Sequence, residues 1–212
     1  MAQPRHPDDR RVIARTARRV LIAAEGRATE SPYFDAIRRH LHLPTQVVTV
    51  LDNKGSSPIS LVRGVILSRD RLIDSGGFDS HGGDTAWAVF DGDEHRQSDP
   101  KGWAEAHRLA EREGVRLAVS NPSFELWFLL HFEDQFAPLD AAAAIARLKR
   151  HLPRYKKGLA LFPDPLLPLT QSAIDRAARL DERARREGTG TPHPNPSTGV
   201  AALVDHLFTL GT

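Results

Sequence analysis

Short apolar runs alternate with longer amphipathic stretches up to about residue 132. Val20 to Ala24, Thr85 to Phe90 and Val115 to Val119 are compact apolar runs, and Gln46 to Leu51 is rich in β-branched residues. Runs of this length bounded by polar turns read as strands, and unbroken apolarity marks strands covered on both faces. Between them the period lengthens. Tyr33, Phe34, Ile37 and Leu41 recur at helical spacing behind Thr29 or Ser31 as cap, with Pro32 in the first turn. Ser56-Ser57-Pro58 opens a second helix that carries Ile59, Leu61, Val62, Val65, Ile66 and Leu67. Asp99-Pro100 starts a third, which Gly114 ends after about Glu113. Ser120-Asn121-Pro122-Ser123 caps a fourth, from Phe124 to about Phe132. The stretch from Asp74 to Asp84 is glycine-rich and predicts a flexible loop.

Strand and helix in alternation predict an α/β fold with a parallel sheet and crossover helices. Beyond residue 135 the pattern turns helical. An alanine-rich amphipathic helix spans 139–151, another runs from about Leu169 to Arg186, and Ser197 to Leu210 closes the chain after a Gly/Pro/Thr-rich linker from Gly188 to Pro196. The division expected is a basic arm over 1–18, an α/β core over 19–135 and a helical C-terminal extension over 136–212 packed on that core.

Composition narrows the chemistry. The chain has 212 residues, 40% hydrophobic and 26% charged, enough for one independently folding globular unit. It has no cysteine, which excludes disulfides, thiolate metal sites and cysteine nucleophiles. That absence fits a cytoplasmic home. No apolar stretch approaches the roughly 20 residues of a membrane helix, and the arginine-rich start, whose apolar run stops at Glu25, does not read as a signal peptide. Net charge is only +2, yet the arginines cluster. Arg5, Arg10, Arg11, Arg15, Arg18 and Arg19 form one patch, and Arg176, Arg179, Arg183, Arg185 and Arg186 a second. The third joins Arg147, Lys149, Arg150 and His151 to Arg154, Tyr155, Lys156 and Lys157. Each is either a solvated face or part of a track for a phosphate backbone.

Two of the apolar runs end in carboxylate and glycine: Glu25-Gly26 after the first, Asp91-Gly92-Asp93 after the third. In open α/β sheets the functional crevice lies beyond the carboxyl ends of the strands. If the two strands are neighbours, Glu25, Asp91 and Asp93 converge on one edge. Hard oxygen ligands gathered in this way suit Mg²⁺ or Mn²⁺. The alternative for Asp91 and Asp93 is a turn closed by side-chain hydrogen bonds. Glu125, after the fourth strand, either points toward this cluster or serves its helix start. Glu30 reads as a first-turn acid that favours the helix dipole, not as a ligand. Trp127, Phe128, Leu129, Leu130 and Phe132 read as core, His131 as a structural or surface histidine rather than a catalytic one, and Tyr155-Lys156-Lys157 as either a phosphate contact or a surface turn.

Together these segments resemble the RloB-like family of bacterial defence-associated proteins. The resemblance rests on Glu25-Gly26 with Thr29-Glu30 and Tyr33-Phe34, on Asp91-Gly92-Asp93, and on Ser120-Asn121-Pro122-Ser123-Phe124-Glu125-Leu126-Trp127 with Leu129-Leu130-His131-Phe132. Lys156 and Asn195-Pro196-Ser197-Thr198 extend it, so that it covers roughly 18–210. The family looks like a variant of the Toprim fold found in topoisomerases, primases and OLD-type nucleases. The resemblance implies acid/base catalysis by Glu25, Mg²⁺ held by Asp91 and Asp93, and Glu125 as an added acidic ligand. It also implies an ATPase partner in an anti-phage module of the abortive-infection type.

Two functions follow. One is a metal-dependent nuclease acting on RNA (including tRNA) or DNA, with Arg154, Lys156 and Lys157 on the backbone. The other is a non-catalytic subunit that binds nucleic acid or regulates an ATPase partner. A strand-passing topoisomerase is disfavoured for want of a gate domain and of a catalytic tyrosine context at Tyr33 or Tyr155. A primase lacks a template-binding module. The sequence carries no Walker A motif, so NTP dependence is expected to come from a partner.

Overall fold

The computed structural model describes residues 18–52, 55–188 and 192–211, apart from the side chains of 93 and 94. The elements run β1 (Val20–Ala24), α1 (Glu30–His40), β2 (Val48–Leu51), α2 (Pro58–Asp74), β3 (Thr85–Asp91), α3 (Asp93–Ser98), α4 (Pro100–Glu113), β4 (Arg116–Asn121), α5 (Glu125–Leu130), α6 (Ala141–His151), α7 (Thr170–Glu187), β5 (Ser197–Thr198) and α8 (Val200–Leu210). The sheet order is β2-β1-β3-β4-β5. The first four strands are parallel, and β5 pairs antiparallel with β4. This is a mixed α/β fold, consistent with a Toprim-like one.

The unbroken apolar runs are explained by two cores, one on each face. Alternate residues point to opposite sides of a strand. Val20, Ile22, Ala24, Trp87 and Val89 join one core with α1 and the C-terminal helices. Leu21, Ala23, Ala86, Ala88 and Phe90 join the other, with α2 and α4. Residues from Leu148 to Leu207 lie in the first core together with β1, so one face of the sheet is covered by the C-terminal stretch.

Local chemistry sets the ends. Ser57 accepts the Ser60 N–H at the start of α2, and Asp99 accepts the Gly102 N–H at the start of α4. Gly114 takes the left-handed conformation (φ 65°) that ends α4 without a Cβ penalty. Two expectations are corrected, and one element is added. Thr29 precedes α1 but its side chain makes no capping bond. Residues 93–98 form the short helix α3, which its polar sequence hides because it has no apolar period. The last helix begins at Val200, because Ser197 and Thr198 are taken into the sheet as β5; Thr198 Oγ1 meets Ser120 Oγ at 2.8 Å.

The core also holds polar pairs. Trp127, fully buried, donates from Nε1 to the Tyr33 hydroxyl at 2.8 Å. Tyr33→Phe leaves that N–H unpaired, at a cost of about 1–3 kcal/mol. Thermal denaturation is expected to show a lower Tm, by roughly 2–4 °C per kcal/mol at this chain length. An unchanged Tm would show that the indole N–H has another partner.

Candidate functional site

Strand order reverses between β1 and β3, because the chain leaves β1 toward β2 on one side and returns to β3 on the other. The crevice of such a sheet lies outside the carboxyl ends at this switch. Ala24 is in register with Val89, and Asp91 with Ser120. Glu25 and Asp91 therefore lie side by side there, with the β4–α5 connection next to them.

Each carboxylate is held from its own surroundings. Glu25 Oε2 accepts the Asp91 backbone N–H at 3.2 Å, and its Oε1 lies 2.9 Å from His95 Nε2. Asp91 Oδ1 accepts the Phe124 N–H at 2.8 Å, which ties the β4–α5 connection to the end of β3. Glu125 is buried, with Oε2 accepting from the Ser123 hydroxyl at 2.7 Å and Oε1 from the Tyr155 hydroxyl at 3.0 Å. Lys157 Nζ stands 4.0 Å from the same Oε1. Glu30 is buried at the start of α1, with its carboxylate against Gly26, where a Cβ would run into it.

These acids repel one another. Burial, and then the charges of Glu30, Glu25 and Glu125, push Asp91 up to about 8. Burial first, then Glu25 and Glu125, push Glu30 up to about 7. Burial and crowding thus hold protons on Asp91 and Glu30 well above the usual carboxylate range, although Lys157 stands beside Glu125 and His95 beside Glu25.

Of the residues expected from sequence, Glu25, Asp91 and Glu125 come together here. Asp93 opens α3, but its side chain lies outside the described part. Lys157 reaches the cluster, whereas Arg154 and Lys156 are exposed on the same connection. Tyr155 is not a surface residue; it is buried and donates to Glu125. Glu30, read as a helix-dipole acid, stands within the cluster. His95 and Tyr155 enter the site without a sequence signal of their own, one from an unpatterned polar helix and the other across a long loop. His131 is structural: it is buried, its Nδ1 lies 2.9 Å from the Trp127 carbonyl, and burial lowers it to about 4.

The α7 arginines are engaged elsewhere. Arg176 donates to the Leu130 and His131 carbonyls, Arg179 pairs with Asp134, Arg183 with Glu187, and Arg185 and Arg186 with Glu182. Arg5, Arg10, Arg11 and Arg15 lie outside the described residues.

The oxygen donors are of the kind a hard divalent cation takes, and their mutual repulsion is the charge imbalance such an ion relieves. Among the described residues, no set of three or more Asp, Glu or His side chains is positioned to hold one metal ion. No described helix is long and apolar enough to cross a membrane.

An α/β protein with a carboxylate-lined crevice at its switch point is the class defined so far. The family model described as RloB-like protein matches residues 20–207, and the chain belongs to that family. No curated protein and no solved structure matches it.

Proposed function

We propose that this protein is a metal-dependent nuclease that hydrolyses phosphodiester bonds in RNA or DNA. The observation that supports this best is the gathering of Glu25, Glu30, Asp91 and Glu125 at the switch point, with Asp91 and Glu30 driven up by burial and by each other's charge. Asp91, Asp93 and Glu125 would hold Mg²⁺ or Mn²⁺. Such an ion, when bound, polarises the scissile phosphate and lowers the pKa of an attacking water.

The chain's own groups do the rest. Glu25 takes the proton from water at Oε1, and His95 Nε2 at 2.9 Å orients that oxygen. Tyr155 and Ser123 fix the orientation of Glu125. Lys157 stands at the rim as the cation for a substrate phosphate, with Arg154 and Lys156 outside it. Membership of the RloB-like family supports an anti-phage setting and an ATPase partner as parts of the same proposal.

The test is cleavage of labelled RNA and DNA with Mg²⁺, Mn²⁺ or EDTA. Wild-type protein is expected to cut at least one of them with metal and neither in EDTA, and Glu25→Gln to lose roughly a hundredfold or more. Metal-independent cleavage, or full activity in Glu25→Gln, would overturn the reading.

A further inference from the structure

The crevice has a definite size and lining. Glu25 and Asp91 open into a cavity of about 470 Å³. Gln97 and Ser98 at the end of α3, Pro122, Ser123 and Ala141 line it together with the exposed Lys157. These wall residues are small or neutral, and Lys157 is the one cation among them. The volume falls in the range of small-molecule pockets, roughly 300–1,000 Å³, room for a ligand about the size of one nucleotide. A base stacked inside a duplex is held away from a pocket of this size and reaches it only when unpaired.

Charge agrees with size. A double helix presents a phosphate charge about every 1.7 Å, and duplex binders meet it with many cations. Here the α7 arginines are paired with Asp134, Glu182 and Glu187, and Arg147 and His151 are paired with Glu133. Among the described residues that line the cavity Lys157 is the one cation, enough to meet one phosphate, with Arg154 and Lys156 exposed on the same connection.

We propose that this cavity seats a single unpaired nucleotide, so that the substrate is single-stranded or locally unpaired nucleic acid rather than continuous duplex. The proposal rests on the nuclease reading of the same carboxylates. Lys157 meets the phosphate, Pro122 and Ala141 flank the sugar and base, and Gln97 and Ser98 supply hydrogen-bonding groups to the base edge. A nucleotide inside a duplex would have to be extruded before it could enter.

The experiment measures fluorescence anisotropy of a labelled single-stranded RNA and of the same sequence closed into a hairpin duplex, with Ca²⁺ as the only divalent ion. It compares the full wild-type chain with Ala141→Trp, which fills the cavity from a half-buried helix start, and with the exposed-site variant Lys157→Ala. Residues 1–17 are common to all three proteins, so their contribution cancels between wild type and the two variants. Single strand is expected to bind at least about tenfold tighter than duplex. Ala141→Trp should weaken single-strand binding about tenfold and leave duplex binding unchanged, with a smaller loss in Lys157→Ala. Equal binding of the two forms, or single-strand binding untouched by both variants, would overturn the proposal. Cleavage of the same oligonucleotides in Mg²⁺ separates the two claims. Selective binding without cleavage supports the nucleotide seat and defeats the nuclease reading; cleavage without selectivity does the reverse.

Discussion

Asp91→Asn will lower phosphodiester hydrolysis by at least a hundredfold and, without metal, make the protein more stable at alkaline pH. The activity loss follows from removing a charged oxygen at the centre of the cluster; a hundredfold is about 2.7 kcal/mol of barrier. Asparagine keeps an oxygen to accept the Phe124 N–H, so the β4–α5 connection stays in place. The stability gain follows from linkage. Asp91 is raised to about 8 in the folded chain, against 3.8 as the ordinary value. Between these values the folded state holds more protons than the unfolded one, so this group's contribution is fully favourable below about 4 and is lost as pH rises through 8. Glu30, raised to about 7, behaves in the same sense. His131 and His193, lowered to about 4 mainly by burial, act in the opposite sense as pH falls. Comparing Asp91→Asn with wild type at each pH cancels the histidines. The variant should melt higher by roughly 4–8 °C at pH 8.5 in EDTA, equivalent to about 2 kcal/mol, with the gap closing toward pH 5. A gap independent of pH would show that Asp91 carries no excess charge in the fold.

Gly26→Ala is expected to lower activity by displacing a neighbour of Glu25 and Asp91, although it changes no charge. The added methyl group would occupy the place of the Glu30 carboxylate and expel it from the cluster. Because Glu30 is buried and the Ser31 N–H bonds to the Gly26 carbonyl at 3.1 Å, the turn has little room to yield. A loss of tenfold to a hundredfold in cleavage is expected, about 1.4–2.7 kcal/mol. The diagnostic is non-additivity. In a Glu30→Ala background the clash partner is gone, and Gly26→Ala should cost little more. Additive losses would mean that glycine matters here for backbone conformation alone.

Part of this fold is legible in the sequence, and part is not. Val20–Ala24 and Thr85–Asp91 are legible because strands buried on both faces need apolar residues at every position. Their ends are legible because the run breaks abruptly at Glu25 and Asp91. Ser57, Asp99 and Gly114 are legible because caps and left-handed ends have narrow chemical requirements. Ser197 and Thr198 are not, since two small polar residues enter a sheet only because β4 offers them partners. Tyr155 meets Glu125 across 30 positions, a contact set by the packing of the C-terminal stretch and not by any local pattern. Glu30 is legible as a first-turn acid, as α1 bears out, but its nearness to Glu25 is not, because that depends on where the start of α1 sits beside the end of β1.

The most direct measurement is calorimetric titration of Mn²⁺ into the metal-free protein at pH 8, beside Asp91→Asn, with RNA and DNA cleavage read on the same samples. Saturable binding in wild type, greatly weakened in the variant together with cleavage, is the expected result. Cleavage that persists where no Mn²⁺ binds, or binding undiminished in Asp91→Asn, would contradict a metal-dependent site built on these carboxylates.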